Sequence, residues 1–190
     1  MKLFIDAGHG GADSGAVGNK SKEKDIVLAI ASRVDYHVKR NGHQTLMSRT
    51  TDINPSLGVR TWQANGNNCD ALVSIHINDS DNIAATGIET FCYKYKYRKL
   101  ADCVHSELLA TKCYTVDRGV KEDNLHMVRE SNMDACLVEL GFIKNPKDYT
   151  YLCNNQEAFA IAITKGVLKY FGLKYKEEDK TCPTCNQSIK

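Results

Sequence analysis

The sequence predicts an α/β protein built on a mostly parallel sheet with helices on both faces. Short runs rich in β-branched and aliphatic residues alternate with longer segments of helical period. Several of the strand-like runs also end in polar residues, at the sheet edge where open α/β sheets gather their ligands. With 190 residues the chain is long enough for one substantial core.

Lys2–Ala7 reads as the first strand and leads into Gly8-His9-Gly10-Gly11. Helical period then runs from Lys24 to Arg40, where Ile26, Ala29, Ile30, Arg33, Val34 and His37 recur at steps of three and four. Asn41-Gly42 supplies the stop. Gln44–Ser48 is a second strand, Leu57–Gly66 a helix, and Ala71–Ile77 and Gly87–Tyr93 further strands. Tyr97–Thr111 is helical, Ala135–Leu140 is the last strand, and Glu157–Phe171 is a helix ended by Gly172. Residues 1–172 therefore form the globular unit. Residues 173–190 read as a charged linker, Lys174 to Lys180, followed by Cys182-Pro183-Thr184-Cys185. That Cys-x-x-Cys is half of a four-ligand zinc ribbon. It reads as a solvated tail, a redox-labile pair, or a half-site completed by a partner or a second copy of the chain.

Composition excludes several classes. The chain is 42% hydrophobic and 25% charged with a formal charge of +2, and it has no apolar run near the roughly 20 residues of a membrane-spanning helix. Lysines and arginines are scattered, which argues against a nucleic-acid footprint. Tyr93, Tyr95 and Tyr97 interleaved with Lys94, Lys96, Arg98 and Lys99 read as an edge strand running into a helix, its lysines guarding the exposed side, rather than as a base-stacking surface. Of the eight cysteines, Cys69, Cys103, Cys136 and Cys153 lie within or beside apolar segments, as small buried hydrophobes of a reducing compartment do. The opening residues lack the basic, apolar and small-residue succession of a secretory signal, so synthesis in the cytoplasm is expected.

Three strand ends carry the chemistry. The first gives Asp6-Ala7-Gly8-His9-Gly10-Gly11, whose glycines allow a sharp turn beside an imidazole; another gives Ser74-Ile75-His76-Ile77-Asn78. A third, Val138-Glu139-Leu140-Gly141-Phe142, sets a carboxylate in an apolar run, where it costs several kcal/mol unless a cation or proton compensates it. His37, His43, His105 and His126 read as surface or hydrogen-bonded histidines. A metal would satisfy Glu139 directly or through its water, with His9 and His76 as nitrogen ligands and a further carboxylate or histidine needed as third ligand. Glu23, in Lys22-Glu23-Lys24-Asp25, fits that place, although its spacing alone suits an acid facing a helix macrodipole somewhat better.

Together these segments resemble the signature of zinc-dependent N-acetylmuramoyl-L-alanine amidases, a family found as phage endolysins and as cell-wall or sporulation amidases. Further matching pieces follow in order: Ser48-Arg49-Thr50 with Asp52, Arg60, Ala64-Asn65 and Gly87-Ile88-Glu89-Thr90. The resemblance implies a twisted six-stranded sheet between helices, and one zinc held by His9, Glu23 and His76. It also implies Glu139 as catalytic acid/base and Asn78 as a residue that orients substrate or a ligand. The implied substrate is peptidoglycan, cut at the amide between N-acetylmuramic acid and L-alanine; the missing export signal favours a phage or prophage endolysin, stored in the cytoplasm and released to act on the wall. A zinc peptidase cutting the stem peptide, or a wall-binding module without activity, are the competing readings. The missing His-Glu-x-x-His helix weighs against the first, and retention of Glu139 against the second.

Overall fold

The computed structural model describes residues 1–113 and 116–177. In chain order the elements are β1 (Lys2–Ala7), β2 (Val17–Gly18), β3 (Ser21–Lys22), α1 (Glu23–Arg40), β4 (Gln44–Met47), α2 (Leu57–Gly66), β5 (Ala71–Asn78) and β6 (Ile88–Cys92). A 3₁₀ turn at Tyr95–Tyr97 precedes α3 (Lys99–Ala110), β7 (Asp117–Glu122), α4 (His126–Arg129), β8 (Asp134–Phe142), α5 (Pro146–Asn154) and α6 (Gln156–Tyr170). The main sheet has six strands in the order β4-β1-β5-β8-β6-β7, and β2 pairs with β3 in a small hairpin. All neighbours in the main sheet run parallel except β6 and β8. The mostly parallel α/β sheet expected from the sequence is present.

Alternation along the strands sorts side chains between two cores of unequal size. Leu3, Ile5 and Ala7, with Val73, Ile75, Cys136 and Val138, face the helical layer in which α1, α3 and α6 pack. The intervening Phe4, Leu72 and Leu137 face the other side, where they meet Ala64 of α2 and Met127 and Val128 of α4. This second face is thinly covered, and the row formed by His76 and its partner Glu139 lies on it. α1 carries Glu23 and Asp25 in its first turn and His37, Lys39 and Arg40 in its last, matching the macrodipole. Its end closes at Gly42, whose φ of +86° is a left-handed value.

Several elements differ from the sequence reading. β7 escapes it because Asp117-Arg118-Gly119-Val120-Lys121-Glu122 is a polar edge strand without alternation. β6 is consequently interior, between β8 and β7, rather than an edge. α5 is also additional. It is started by Asn145, whose side chain accepts from Lys147 N and Asp148 N, with Pro146 in the first turn. Cys153 sits on α5 and is exposed, not a buried hydrophobe, and Cys103 is only half-buried, whereas Cys69 and Cys136 are buried as expected. Three of the remaining histidines are hydrogen-bonded: His37 to Glu157 and Tyr175, His105 to Thr90 and Asp117, and His126 to Thr61. The start of the charged tail folds back: Lys176 N donates to Asn41 Oδ1 at 2.7 Å and Tyr175 meets His37 at 2.9 Å. Cys182 and Cys185 lie outside the described residues. No helix among the described residues is long and apolar enough to cross a membrane.

Candidate active site

The site is assembled at the carboxyl ends of β1, β5 and β8 from residues far apart in sequence. His9 follows β1 with φ of +58°, a left-handed conformation unfavourable for a residue with a Cβ. Two buried arginines fasten this turn. Arg49 donates to the carbonyls of Ala7, Gly8 and Lys24, and Arg60 donates to those of Ala7 and His9. Gly10 and Asp13 exchange two backbone hydrogen bonds of 2.9 Å, closing the loop. Asp13 Oδ2 also accepts from His9 Nδ1 at 2.9 Å, leaving Nε2 as the nitrogen that faces Glu23. Gly8 is required by close approach, because a Cβ there would overlap the ring of His76.

Glu23 is the first residue of α1 and is 2% exposed. Its Oε2 accepts from Ala16 N at 2.8 Å and lies 3.2 Å from His9 Nε2; its Oε1 accepts from Ile77 N at 2.9 Å and lies 3.0 Å from His76 Nδ1. The two imidazoles meet edge to face, with centroids 5.0 Å apart. One ligand atom from each of His9, Glu23 and His76 lies within 4.8 Å of the others, so the three could hold a metal ion. Burial would raise the Glu23 carboxyl, but hydrogen bonds from His76 and His9 outweigh it and hold the group at about 2. Its bond to Glu23 in turn raises His9 to about 9. Burial would lower His76, but Glu23 and Glu139 outweigh it and raise this imidazole above its ordinary value. Two imidazole nitrogens and one carboxylate oxygen are a donor set that a divalent metal could use, displacing the protons that the imidazoles otherwise hold.

Glu139 of β8 pairs in register with His76. Its Oε2 is buried without a hydrogen-bond partner, and burial, aided by Glu23 and Glu89 against the pull of His76, pushes the carboxyl up to about 8. A carboxyl raised this far is largely protonated at neutral pH, and a cation held by the adjacent triad would lower it toward the range in which it can accept and return a proton. Asn78, at the end of β5, is half-buried; its amide donates to Glu89 Oε1 at 2.5 Å, and its Oδ1 accepts from Asp79 N. Beside the histidines lies a cavity of about 310 Å³ lined by Asp6, His9, Asn54, Pro55, Leu57 and His76 among others.

Sequence reasoning thus brought together His9, Glu23, His76 and Glu139, but it passed over Asp13 and the cations next to Glu89. Asp13 carried a legible signal, an acid four residues after a candidate ligand in a glycine-rich loop. Arg118 and Lys121 carried none, since β7 itself was invisible.

A buried carboxyl without a hydrogen-bond partner, beside three residues that could hold a metal ion at the carboxyl end of an open sheet, is an arrangement suited to hydrolysis. The profile of the N-acetylmuramoyl-L-alanine amidase family matches residues 3–169. The chain is 40% identical over 176 residues to the uncharacterized Bacillus subtilis protein YqiI, covering 89% of this chain and 84% of that one. It is 36% identical to the sporulation-specific N-acetylmuramoyl-L-alanine amidase of Bacillus subtilis, covering 92% of this chain and 69% of that one. The solved N-acetylmuramoyl-L-alanine amidase AmiC2 of Nostoc punctiforme superimposes with a TM-score of 0.86 at 35% identity, over 90% of this chain and 97% of that one. The chain belongs to the N-acetylmuramoyl-L-alanine amidase family, and it is an amide hydrolase.

Proposed function

We propose that the chain hydrolyses the amide between the lactyl group of N-acetylmuramic acid and L-alanine in peptidoglycan, using one zinc held by His9, Glu23 and His76, with Glu139 as acid/base. Residues 1–172 would form the catalytic unit and 173–190 a tail. The observation that carries the reading is the unpartnered, buried Oε2 of Glu139 in register with the His76 member of the triad. Bound zinc supplies Lewis-acid polarisation of the scissile carbonyl and acidifies water. Glu139 accepts the proton of the attacking water at its free oxygen. It then delivers that proton to the leaving nitrogen, because an amine departs poorly unless protonated. Asp13, on His9 Nδ1, fixes the ring so that Nε2 faces Glu23 and would be free to hold the metal, the usual role of a carboxylate behind a ligating imidazole. Asn78 orients substrate or a ligand, and its amide also holds Glu89 beside Glu139.

Purified cell walls treated with the protein should release free L-alanine amino termini without new reducing sugar ends, with the fragments identified by mass spectrometry. Chelation should abolish release and one equivalent of zinc should restore it. New amino groups within the stem peptide instead would establish a peptidase, and full activity in metal-free protein would remove zinc from the reading.

A further inference from the structure

Beyond Glu139 the same face of the sheet carries charges that the hydrolytic steps do not use. Antiparallel pairing sets Glu89 opposite Glu139, so His76, Glu139 and Glu89 follow one another across β5, β8 and β6. Glu89 is 4% exposed and receives three donors. Asn78 Nδ2 meets Oε1 at 2.5 Å, Arg118 Nε meets Oε2 at 2.9 Å, and Lys121 Nζ meets the same Oε2. Both cations come from β7 and also lie over aromatic rings, Arg118 over Phe142 at 4.9 Å and Lys121 over Phe91 at 5.9 Å.

Charge counting separates this cluster from an ordinary buried ion pair. One cation neutralises one carboxylate, yet two are present here, and among the described residues neither pairs with any other acid. The surplus charge is accessible, since the side chains of Arg118 and Lys121 are 35% and 40% exposed. Arg118 gives only Nε to Glu89, and its two Nη nitrogens have no partner among the described residues. A guanidinium held at one edge with its Nη groups free presents the geometry that binds a carboxylate.

The identity of the anion rests on the function proposed above. In that substrate the glycan offers hydroxyl and acetamido groups, and the lactyl carboxyl is consumed in the scissile amide. Free carboxylates belong only to the stem peptide. We propose that Arg118 and Lys121 form a subsite for a free carboxylate of the stem peptide, on the leaving-amine side of the scissile bond, with Glu89 and Asn78 as positioning residues.

The test compares two soluble muramoyl peptides that differ only at the second stem residue, one bearing a free carboxylate and the other the corresponding carboxamide. The zinc-loaded protein should favour the carboxylate by about tenfold or more in kcat/KM, expressed mainly in KM, as loss of a charge-assisted contact implies. Arg118→Gln should bring that ratio close to one, whereas Arg118→Lys should keep part of it, and Lys121→Met should lower it. Equal efficiency of the unaltered protein on both peptides overturns the subsite while leaving the amidase reading intact. A preference that survives in both Arg118→Gln and Lys121→Met also overturns it. Cleavage of neither peptide overturns the amidase reading and the subsite with it.

Discussion

Among the described residues, Glu139 is the acid that the fold leaves buried with an unsatisfied oxygen. A buried acceptor without a donor costs about 1–3 kcal/mol, and Oε2 carries that cost next to the triad. Glu139→Gln keeps the shape and removes the proton acceptor. Its turnover should fall by roughly 10² to 10⁴, equivalent to about 3 to 5 kcal/mol of barrier, while zinc content and melting temperature stay near those of the parent. Near-normal hydrolysis with full zinc would end the acid/base assignment. His9 presents the converse case, a strained conformation retained because Arg49 and Arg60 donate to the carbonyls on both sides of it. These arginines act on the ligand through the backbone, so their role is positional.

At the scale of elements, the helical layer depends on how closely α3 and α6 approach. Gly166 lies mid-way along α6, and a Cβ there would overlap the backbone of Val104 in α3. Helix propensity alone favours Gly→Ala by about 1 kcal/mol. Gly166→Ala should nevertheless destabilise the protein, because overpacking against backbone costs roughly 1–3 kcal/mol. Gly58 in α2 meets nothing within 4 Å of its would-be Cβ, so Gly58→Ala should be neutral or stabilising. Denaturant unfolding of the two variants checks the contrast, and a stabilised Gly166→Ala would show that the helices separate at no cost.

At the scale of the molecule, the thinly covered face is tied together by charge as well as by packing. Asp6 of β1 is fully buried and accepts from Arg60 Nη1 at 2.7 Å and from Ser74 at 2.6 Å, joining α2 and β5 to the strand that carries His9. Burial would raise the Asp6 carboxyl, but Arg60, with His76 and Ser74, outweighs it and holds the group below 3.8. A depressed folded-state value means that this pair stabilises the protein fully above about pH 3.8, the unfolded value, and loses that contribution as pH falls through the lower folded value. Asp6→Asn leaves Arg60 buried without its counter-charge. At neutral pH it should cost about 3 kcal/mol or more, and the gap to the parent should narrow as pH drops below 3.8. Melting curves from pH 7 to pH 3 read this directly, and a gap independent of pH would assign the loss to packing instead of charge.

The sequence by itself determined the alternation of strand and helix, because period-2 and period-3.6 patterns are local properties of the chain. It also marked His9, His76 and Glu139, since an imidazole or carboxylate at an apolar strand end is costly without a partner. Glu23 was ambiguous in sequence, as an acid at a helix start has an ordinary electrostatic use. Only the tertiary structure decided its place, by folding residues 10–22 so that both its oxygens face the imidazoles of His9 and His76. The polar edge strand β7, the interior position of β6 and the exposure of Cys153 were likewise decided only in three dimensions. So was the cation pair on Glu89, because register between strands distant in sequence is a property of the closed sheet and leaves no pattern within any one of them.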